Sequence, residues 1–298
     1  RMPTICGIRR RGYSPQAILN FIDKIGYTTF DALNDIKLLE AACREDLNTR
    51  AIRVSAVVNP LKLIIDNYPK GLVEEMMAIN NPELRDAEGN TITEGNTHII
   101  HFSRELFIEQ EDFMEDGGKK FMRLGPGKEV RLKNGYIIAC SDEQDEQGNY
   151  KCIEKDRDGN IVCVHATYDP DSKSGMPGAD RKIKGKTLHW VSSKHCIPCE
   201  VRNYECLWTC ENPRDAIKQY EKENNVRGID AMRPFLNPES LTINKNALIE
   251  EFAKDLPALT YLQFQRIGYY NIDPDSTADH LIFNKTVGLK DLWQKGNK

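Results

Sequence analysis

The chain has 298 residues, 40% of them apolar and 29% charged, with a formal net charge of −4. That is room for two or three domains with cores of their own, and an amino-acid balance typical of globular chains. No apolar run approaches the roughly 18 residues a bilayer-spanning helix needs and no secretory leader is recognisable; nine cysteines without a disulfide-scaffold spacing point to reduced thiols in a cytoplasmic setting.

The first 13 residues, Arg-Met-Pro-Thr-Ile-Cys-Gly-Ile-Arg-Arg-Arg-Gly-Tyr, have no initiator methionine and no leader ahead of them, so the chain is expected to be a piece of a longer protein. Arg9, Arg10 and Arg11 are expected on a glycine-flanked turn. A helix is predicted over 14–25. Ser14 can cap it, Pro15 suits the first helical position, Ala17, Ile18, Phe21, Ile22 and Ile25 recur at helical spacing, and Gly26 stops it. A second helix is predicted over 30–46, with Leu33, Ile36, Leu39, Ala42 and Cys43 on one side.

From Arg53 onward the pattern is that of strands. Short runs rich in β-branched and aromatic residues fall at 61–68 and 97–102, and a meander is predicted over 130–140, 150–155 and 161–168. Its turns lie at 147–149 and 157–160, where Asn and Gly accept positive φ. Further strands are predicted at 187–192, 200–209, 235–243 and 261–273, and residues 222–233, with Asn224, Asn225 and Gly228, are expected to form a loop insertion. Many short strands between frequent turns predict a mainly β protein of barrels or sandwiches behind an N-terminal helical segment.

The weak negative net charge hides a segregated one. Residues 117–134 carry Lys119, Lys120, Arg123, Lys128, Arg131 and Lys133 against Glu129 alone, and a second basic cluster holds Arg181, Lys182, Lys184, Lys186 and Lys194. Acids gather around 142–146 and 221–223. Such separation is the electrostatic footprint of a polyanion-binding face, because the local field, not the net charge, sets the contact.

Two glycine-lysine turns imitate phosphate loops. Gly185-Lys186-Thr187 would complete one only with glycine at position 180, which is Asp180, and Gly125-Pro126-Gly127-Lys128 lacks the spacing and the following Ser or Thr. Both are read as barrel turns. Cys196, Cys199, Cys206 and Cys210 could surround zinc, but the last two sit in a strand-like run where they serve as small apolar side chains, and no metal is assigned. No histidine stands beside a nucleophile, and nothing in the sequence marks an acid as buried or paired. No catalytic residue and no cofactor are therefore assigned to the chain.

The opening peptide resembles the stretch just after the Lys-Met-Ser-Lys-Ser-type loop of the glutaminyl-tRNA synthetases, which are class I aminoacyl-tRNA synthetases. Further blocks resemble that family in order and near-family spacing: 44–48, 59–63, 127–132, 185–192 (Gly-Lys-Thr-Leu-His-Trp-Val-Ser), 237–241 and 283–291. The resemblance implies a helical subdomain over 1–50, then two β-barrels, the distal one (103–194) inserted between the two parts of the proximal one (51–102 and 195–298). It also implies that the catalytic half, with its own ATP signatures, lies upstream. The whole enzyme would join glutamine to tRNA-Gln in the cytoplasm using ATP and Mg²⁺, as a monomer without DNA or membrane partners. This part alone would be inactive and would grip the anticodon loop and inner stem.

Reading an anticodon needs splayed bases held by groups that stack on their faces and hydrogen-bond to their edges, for which arginine is well suited. The resemblance places Arg53, Gln263 and Gln265 around the central base, although the family more often has glutamate where Gln265 stands. The two glutamines, two apart on a strand, are expected to face the same side. Arg266 would hold an adjacent nucleotide, Arg123 the third base, and Arg131 and Lys133 the first base and its phosphate. Lys119 and Lys120 are given only phosphate steering. Three other readings remain: the archaeal/eukaryotic type of glutamyl-tRNA synthetase, a free-standing RNA-binding barrel protein, and a zinc-stabilised interaction domain.

Overall fold

Side-chain alternation sets the strands. In Pro60–Ile65, Leu61, Leu63 and Ile65 are buried while the residues between them are partly exposed, the period of a strand with one face on a core. The same alternation holds in Glu129–Leu132, where Val130 and Leu132 point inward. The computed structural model of the chain describes residues 4–27, 29–30, 34–118 and 120–290; Leu33 and Lys119 of the sequence analysis lie outside the described residues.

The strands form two large sheets and a ribbon. A seven-stranded sheet runs Ile52–Val54, Tyr261–Phe264, Gly268–Ile272, Leu281–Gly288, Cys196–Tyr204, Leu241–Glu250 and Ala56–Val57. An eight-stranded one holds Thr187–Leu188, Glu129–Leu132, Ile137–Ala139, Ile161–Tyr168, Pro60–Ile65, Glu105–Glu109 and Val191–Ser192, with Ile153–Lys155 on its flank. In both, the first and last strands of the path are neighbouring pieces of chain, so each sheet curls toward its own start. The result is one nearly closed barrel and one half-barrel. Every strand of the eight-stranded sheet falls between two stretches of the seven-stranded one, so the distal body is an insertion in the proximal one. Segment 51–102 supplies both sheets, since Pro60–Ile65 pairs with Glu105–Glu109 and Ile161–Tyr168. The ribbon, Val73–Ile79 with Thr97–Ser103, is paired with neither sheet, but its Met76, Ala78, Ile100 and Phe102 pack into the core of the distal one.

Three apolar clusters sit under these layers. Leu63, Ile65, Phe102, Ile108, Leu132 and Trp190 belong to the distal core, and Val54, Val201, Ile249, Phe264 and Phe283 to the proximal one. The third, with Tyr13, Ala17, Cys43 and Leu47 against Tyr269 and Val287, glues the N-terminal helices to the proximal barrel.

The helices follow their caps. Ser14 and Asp35 accept hydrogen bonds from Ala17 N and Lys37 N, fixing the starts of Pro15–Ile25 and Ile36–Arg50. The second helix thus begins later and runs further than its predicted 30–46. The three arginines are not on a turn: they form the last turn of a helix, Ile5–Arg11, where positive charge complements the helix dipole. Residues 222–233 are not a plain loop either. Asn212 caps a helix at Pro213–Asn224, and a shorter one follows at Ile229–Met232.

That first helix is pinned to the barrel. Arg10 Nε and Nη2 donate to the two oxygens of fully buried Asp273 (2.9 and 2.6 Å), and Arg10 also pairs with Asp275. The Arg10 carbonyl accepts from Asn271 Nδ2 (3.0 Å) and Asn284 Nδ2 (3.2 Å), and the Arg11 carbonyl accepts from Thr286 Oγ1 (2.8 Å). Gly12 makes the approach possible. Its φ is +102°, and a Cβ there would stand 2.4 Å from Thr286 Oγ1 and 2.6 Å from Asn271 Cβ. Gly12→Ala is expected to cost about 1–3 kcal/mol and to expose residues 4–50 to protease before the barrels, as read by limited proteolysis.

Burial pushes the Asp273 carboxyl up, but Arg10, the Asp275 N–H and the Asn284 amide outweigh it and leave it below the usual carboxylate range. A depressed carboxyl stabilises the fold above its unfolded pKa, about 3.9, and that contribution is lost as pH falls through the lower folded value. Helix docking is therefore expected to persist at pH 4 and fail below it, followed by near-ultraviolet circular dichroism. Asp273→Asn should abolish that acid transition.

Candidate nucleic-acid interface

Strand register brings the first group together. Arg53 pairs with Gln263 in parallel register, and Gln263 pairs with Tyr269 on the next strand. Their flanking residues Val54, Leu262 and Phe264 are fully buried in the proximal core, so Arg53 and Gln263 face away from it. Arg53 Nη2 donates to Asn48 Oδ1 (3.2 Å) and Glu83 Oε1 (3.3 Å), and Tyr269 OH donates to the same Asn48 oxygen (3.3 Å). Burial pushes the Tyr269 phenol up, against the opposing pull of its hydrogen bond to Gln263 and of the Arg53 charge. The Arg53 guanidinium is thereby oriented through one nitrogen, while Nε and Nη1 have no hydrogen-bond partner among the described residues. An aimed guanidinium with free donors, beside an amide, suits the edge of an unpaired base.

Arg131 and Lys133 form a second group, on and just beyond the strand Glu129–Leu132. Val130 and Leu132 take the core side, so Arg131 projects outward, while Lys133 follows in the turn beyond the strand and is half-buried. Arg131 Nη2 donates to the Arg181 carbonyl (3.2 Å). The Lys133 backbone is held from both sides, its N–H by Leu188 O (2.8 Å) and its carbonyl by Trp190 Nε1 (2.9 Å). Its ammonium has no ion-pair partner among the described residues. Burial and then the Arg53 charge hold it below the usual lysine range, with Glu250 opposing them. Lys133 from the distal barrel thus shares a field with Arg53 from the proximal one.

Arg123 and Arg266 meet at Asp112. Arg266 grips this carboxylate with both terminal nitrogens (2.7 Å each), and Arg123 Nη1 approaches it at 3.3 Å while donating to Glu111 O (3.1 Å). Asp112 is 1% exposed and belongs to the distal body, Arg266 to the proximal one. The three line a cleft of about 390 Å³ between the barrels, with His189, Asn203 and Lys285. In this structure Arg266 clamps the two bodies together, both of its terminal nitrogens donating to Asp112. Arg123 keeps more freedom, its side chain 37% exposed.

Gln265 departs from expectation. The strand ends at Phe264, and a turn carries Arg266 at φ +67°, so the alternation that would put Gln265 beside Gln263 breaks off. Gln265 is 5% exposed and its Oε1 meets no donor. Lys120 is exposed, as phosphate steering requires. The two glycine-lysine turns are structural: a Cβ on Gly185 would lie 1.8 Å from Glu129 O, and Lys128 Nζ donates to Gly118 O and Phe121 O (2.8 Å each). Of the four clustered cysteines, Cys199 is in the proximal core and Cys206 is exposed, and no three of their sulfurs converge.

Residues 51–169 and 187–273 each match a family described as tRNA synthetases class I (E and Q), anti-codon binding domain. The chain belongs to that family. It is 43% identical over 295 residues to a glutamine–tRNA ligase of Rhodopirellula baltica, covering 99% of this chain and 44% of the relative. It is 42% identical over 295 residues to that of Clostridium perfringens (99% and 48%) and 43% over 297 to that of Cupriavidus metallidurans (99% and 46%). The chain thus spans about half the length of the relatives it matches, and no helix among its described residues is long and apolar enough to cross a membrane.

For an anticodon-binding domain, the residues that sequence reasoning missed are those that position others. Asn48 and Glu83 aim Arg53, Tyr269 braces Gln263, and Asp112 ties Arg266 to Arg123. Only Asn48, within the block at 44–48, carried any sequence signal. A further buried pair lies at the same junction: His98 Nε2 and Glu250 Oε1 are 3.0 Å apart without hydrogen-bond alignment, and burial pushes the Glu250 carboxyl up.

Proposed function

We propose that this chain reads the anticodon of tRNA-Gln for a glutamine–tRNA ligase. The single observation that carries the reading is the Arg53–Gln263 register pair, held outward on adjacent strands with free guanidinium donors and flanked by Lys133 across the barrel junction. In this reading Arg53 and Gln263 contact the central base, Arg123 the third base, and Arg131 and Lys133 the first base and its phosphate. Lys120 supplies long-range attraction, and Arg266 sets the angle between the barrels. The inner stem would lie along the basic distal face.

The choice of glutamine rests on the names of the relatives, and the ligation itself, with ATP and Mg²⁺, is assigned to a part of the protein outside this chain. The chain's own glycine-lysine turns are packed against backbone and do not cradle phosphate. The helices at 4–50, pinned through Arg10 and Gly12, would carry anticodon engagement toward that part. A monomeric cytoplasmic enzyme fits this division of labour.

Binding of a fluorescent tRNA-Gln anticodon stem–loop to the chain, against an acceptor-stem hairpin of equal length, tests the reading. The anticodon hairpin should bind at least about tenfold tighter; equal binding would contradict it. Lys133→Met should weaken all RNAs alike and lower the salt slope of binding by about one, measured over a potassium chloride series.

A further inference from the structure

Two clusters of metal-ligating side chains occur among the described residues. In one, Glu154, Cys163 and His165 converge, but both ring nitrogens of His165 are already taken, by Asp66 (3.0 Å) and Glu154 (2.8 Å). These carboxylates hold its proton against the effect of burial, which suits an ion triad rather than a ligand.

The other is different. His101 lies on the outer face of the ribbon strand Thr97–Ser103, His195 just ahead of the strand Cys196–Tyr204, and Glu251 at the start of the 3-10 turn Glu251–Asp255. One ligating atom from each lies within 4.8 Å of the other two. The imidazoles stack at 4.1 Å with 20° between planes, and His195 Nδ1 is 3.3 Å from Glu251 Oε2. Backbone bonds fix two of the three relative to each other, because Glu251 N donates to His195 O (3.2 Å) and His195 N to Ser192 O (3.3 Å). Glu75, opposite His101 in the ribbon, is exposed beside them.

We propose that His101, His195 and Glu251 form a site for a divalent transition-metal ion of the zinc type, which staples the ribbon to the proximal barrel. Two imidazoles and one carboxylate match a three-ligand zinc site with water or Glu75 in the fourth position. Ligand atoms about 2.0–2.2 Å from zinc stand roughly 3.4 Å apart, so closing the set needs shifts of about 1 Å from partly exposed side chains. Imidazole donors favour zinc, nickel or copper and not magnesium or calcium. The consequence is mechanical. The other end of the same ribbon holds Arg53, whose N–H donates to Asn80 O (2.7 Å), so the ion would stiffen the frame around that guanidinium.

Zinc chloride titrated into the purified chain, with isothermal calorimetry and melting as readouts, tests this. One ion should bind and raise the melting temperature, whereas magnesium chloride should do neither. His101→Ala and the surface change Glu251→Gln should each weaken zinc at least about tenfold, with metal-free melting showing that both remain folded, and His165→Ala should leave it unchanged. Cobalt should give a visible spectrum without the near-ultraviolet charge-transfer band of thiolate ligation. Zinc affinity unaltered by His101→Ala or Glu251→Gln, or a thiolate band, would overturn the assignment.

Discussion

Replacing Arg53 by alanine is expected to remove discrimination at the central anticodon base while sparing most general RNA affinity. The preference for a cognate stem–loop over one with that base exchanged should fall about 10- to 100-fold, the loss of about 1–3 kcal/mol that accompanies a forked arginine contact. Arg53→Lys should lose nearly as much, because it keeps the charge but not the planar fork. Little of this can come from unfolding. Of the partners left behind, Asn48 keeps its bond from Tyr269 and Glu83 is 40% exposed and can rehydrate, so stability should fall only by about 1–2 kcal/mol, the lost packing and hydrogen bonds of a side chain 15% exposed. Competition binding with the two stem–loops, alongside thermal melting, separates the effects. Equal losses on both RNAs would show that Arg53 acts as a nonspecific charge.

Arg266→Met should be the most destabilising change at the barrel junction, by about 3 kcal/mol, the low end for breaking a buried ion pair because Arg123 still faces the carboxylate. The asymmetry of the clamp sets the size. Arg266 has a side chain 30% exposed, whereas Asp112 is 1% exposed, so removing the arginine leaves a buried carboxylate with Arg123, 3.3 Å away, as its remaining ion-pair partner among the described residues. Removing the acid instead leaves two guanidiniums that can be solvated. Asp112→Asn is therefore expected to cost less, about 1–3 kcal/mol, and the double variant should recover part of the loss from Arg266→Met. Denaturant unfolding of the three variants measures this coupling. A double variant as unstable as the sum of the singles would mean that the two residues do not act on each other.

Features set by local periodicity and by caps were legible in the sequence. Leu61, Leu63 and Ile65 declare a strand, and Ser14 with Pro15 declares a helix start, because their causes lie within a few residues. What depends on distant pairing was not. Asp112 and Arg266 are 154 positions apart, and nothing near either marks the carboxylate as buried. The same holds for Arg10 and Asp273, whose pairing turns one arginine of an exposed-looking basic run into a structural pin. Gln265 was misplaced for a smaller reason: alternation was extended one residue past the end of its strand, into a turn. The helix Pro213–Asn224 was missed because its polar composition hid the cap at Asn212, and the final strand, Leu281–Gly288, because its Asn, Lys and Thr interrupt the apolar pattern. At the candidate site, Arg53, Arg123, Gln263, Arg131 and Lys133 were singled out through the family resemblance, and the residues that hold them in place were not.

Nucleotide-resolution footprinting of tRNA-Gln bound to this chain puts the proposal most directly to the test. Protection is predicted at the three anticodon nucleotides and the inner stem, with the central position exposed again when Arg53 or Gln263 is replaced by alanine. Protection confined to the acceptor arm, or a central nucleotide that stays covered in both variants, would contradict it.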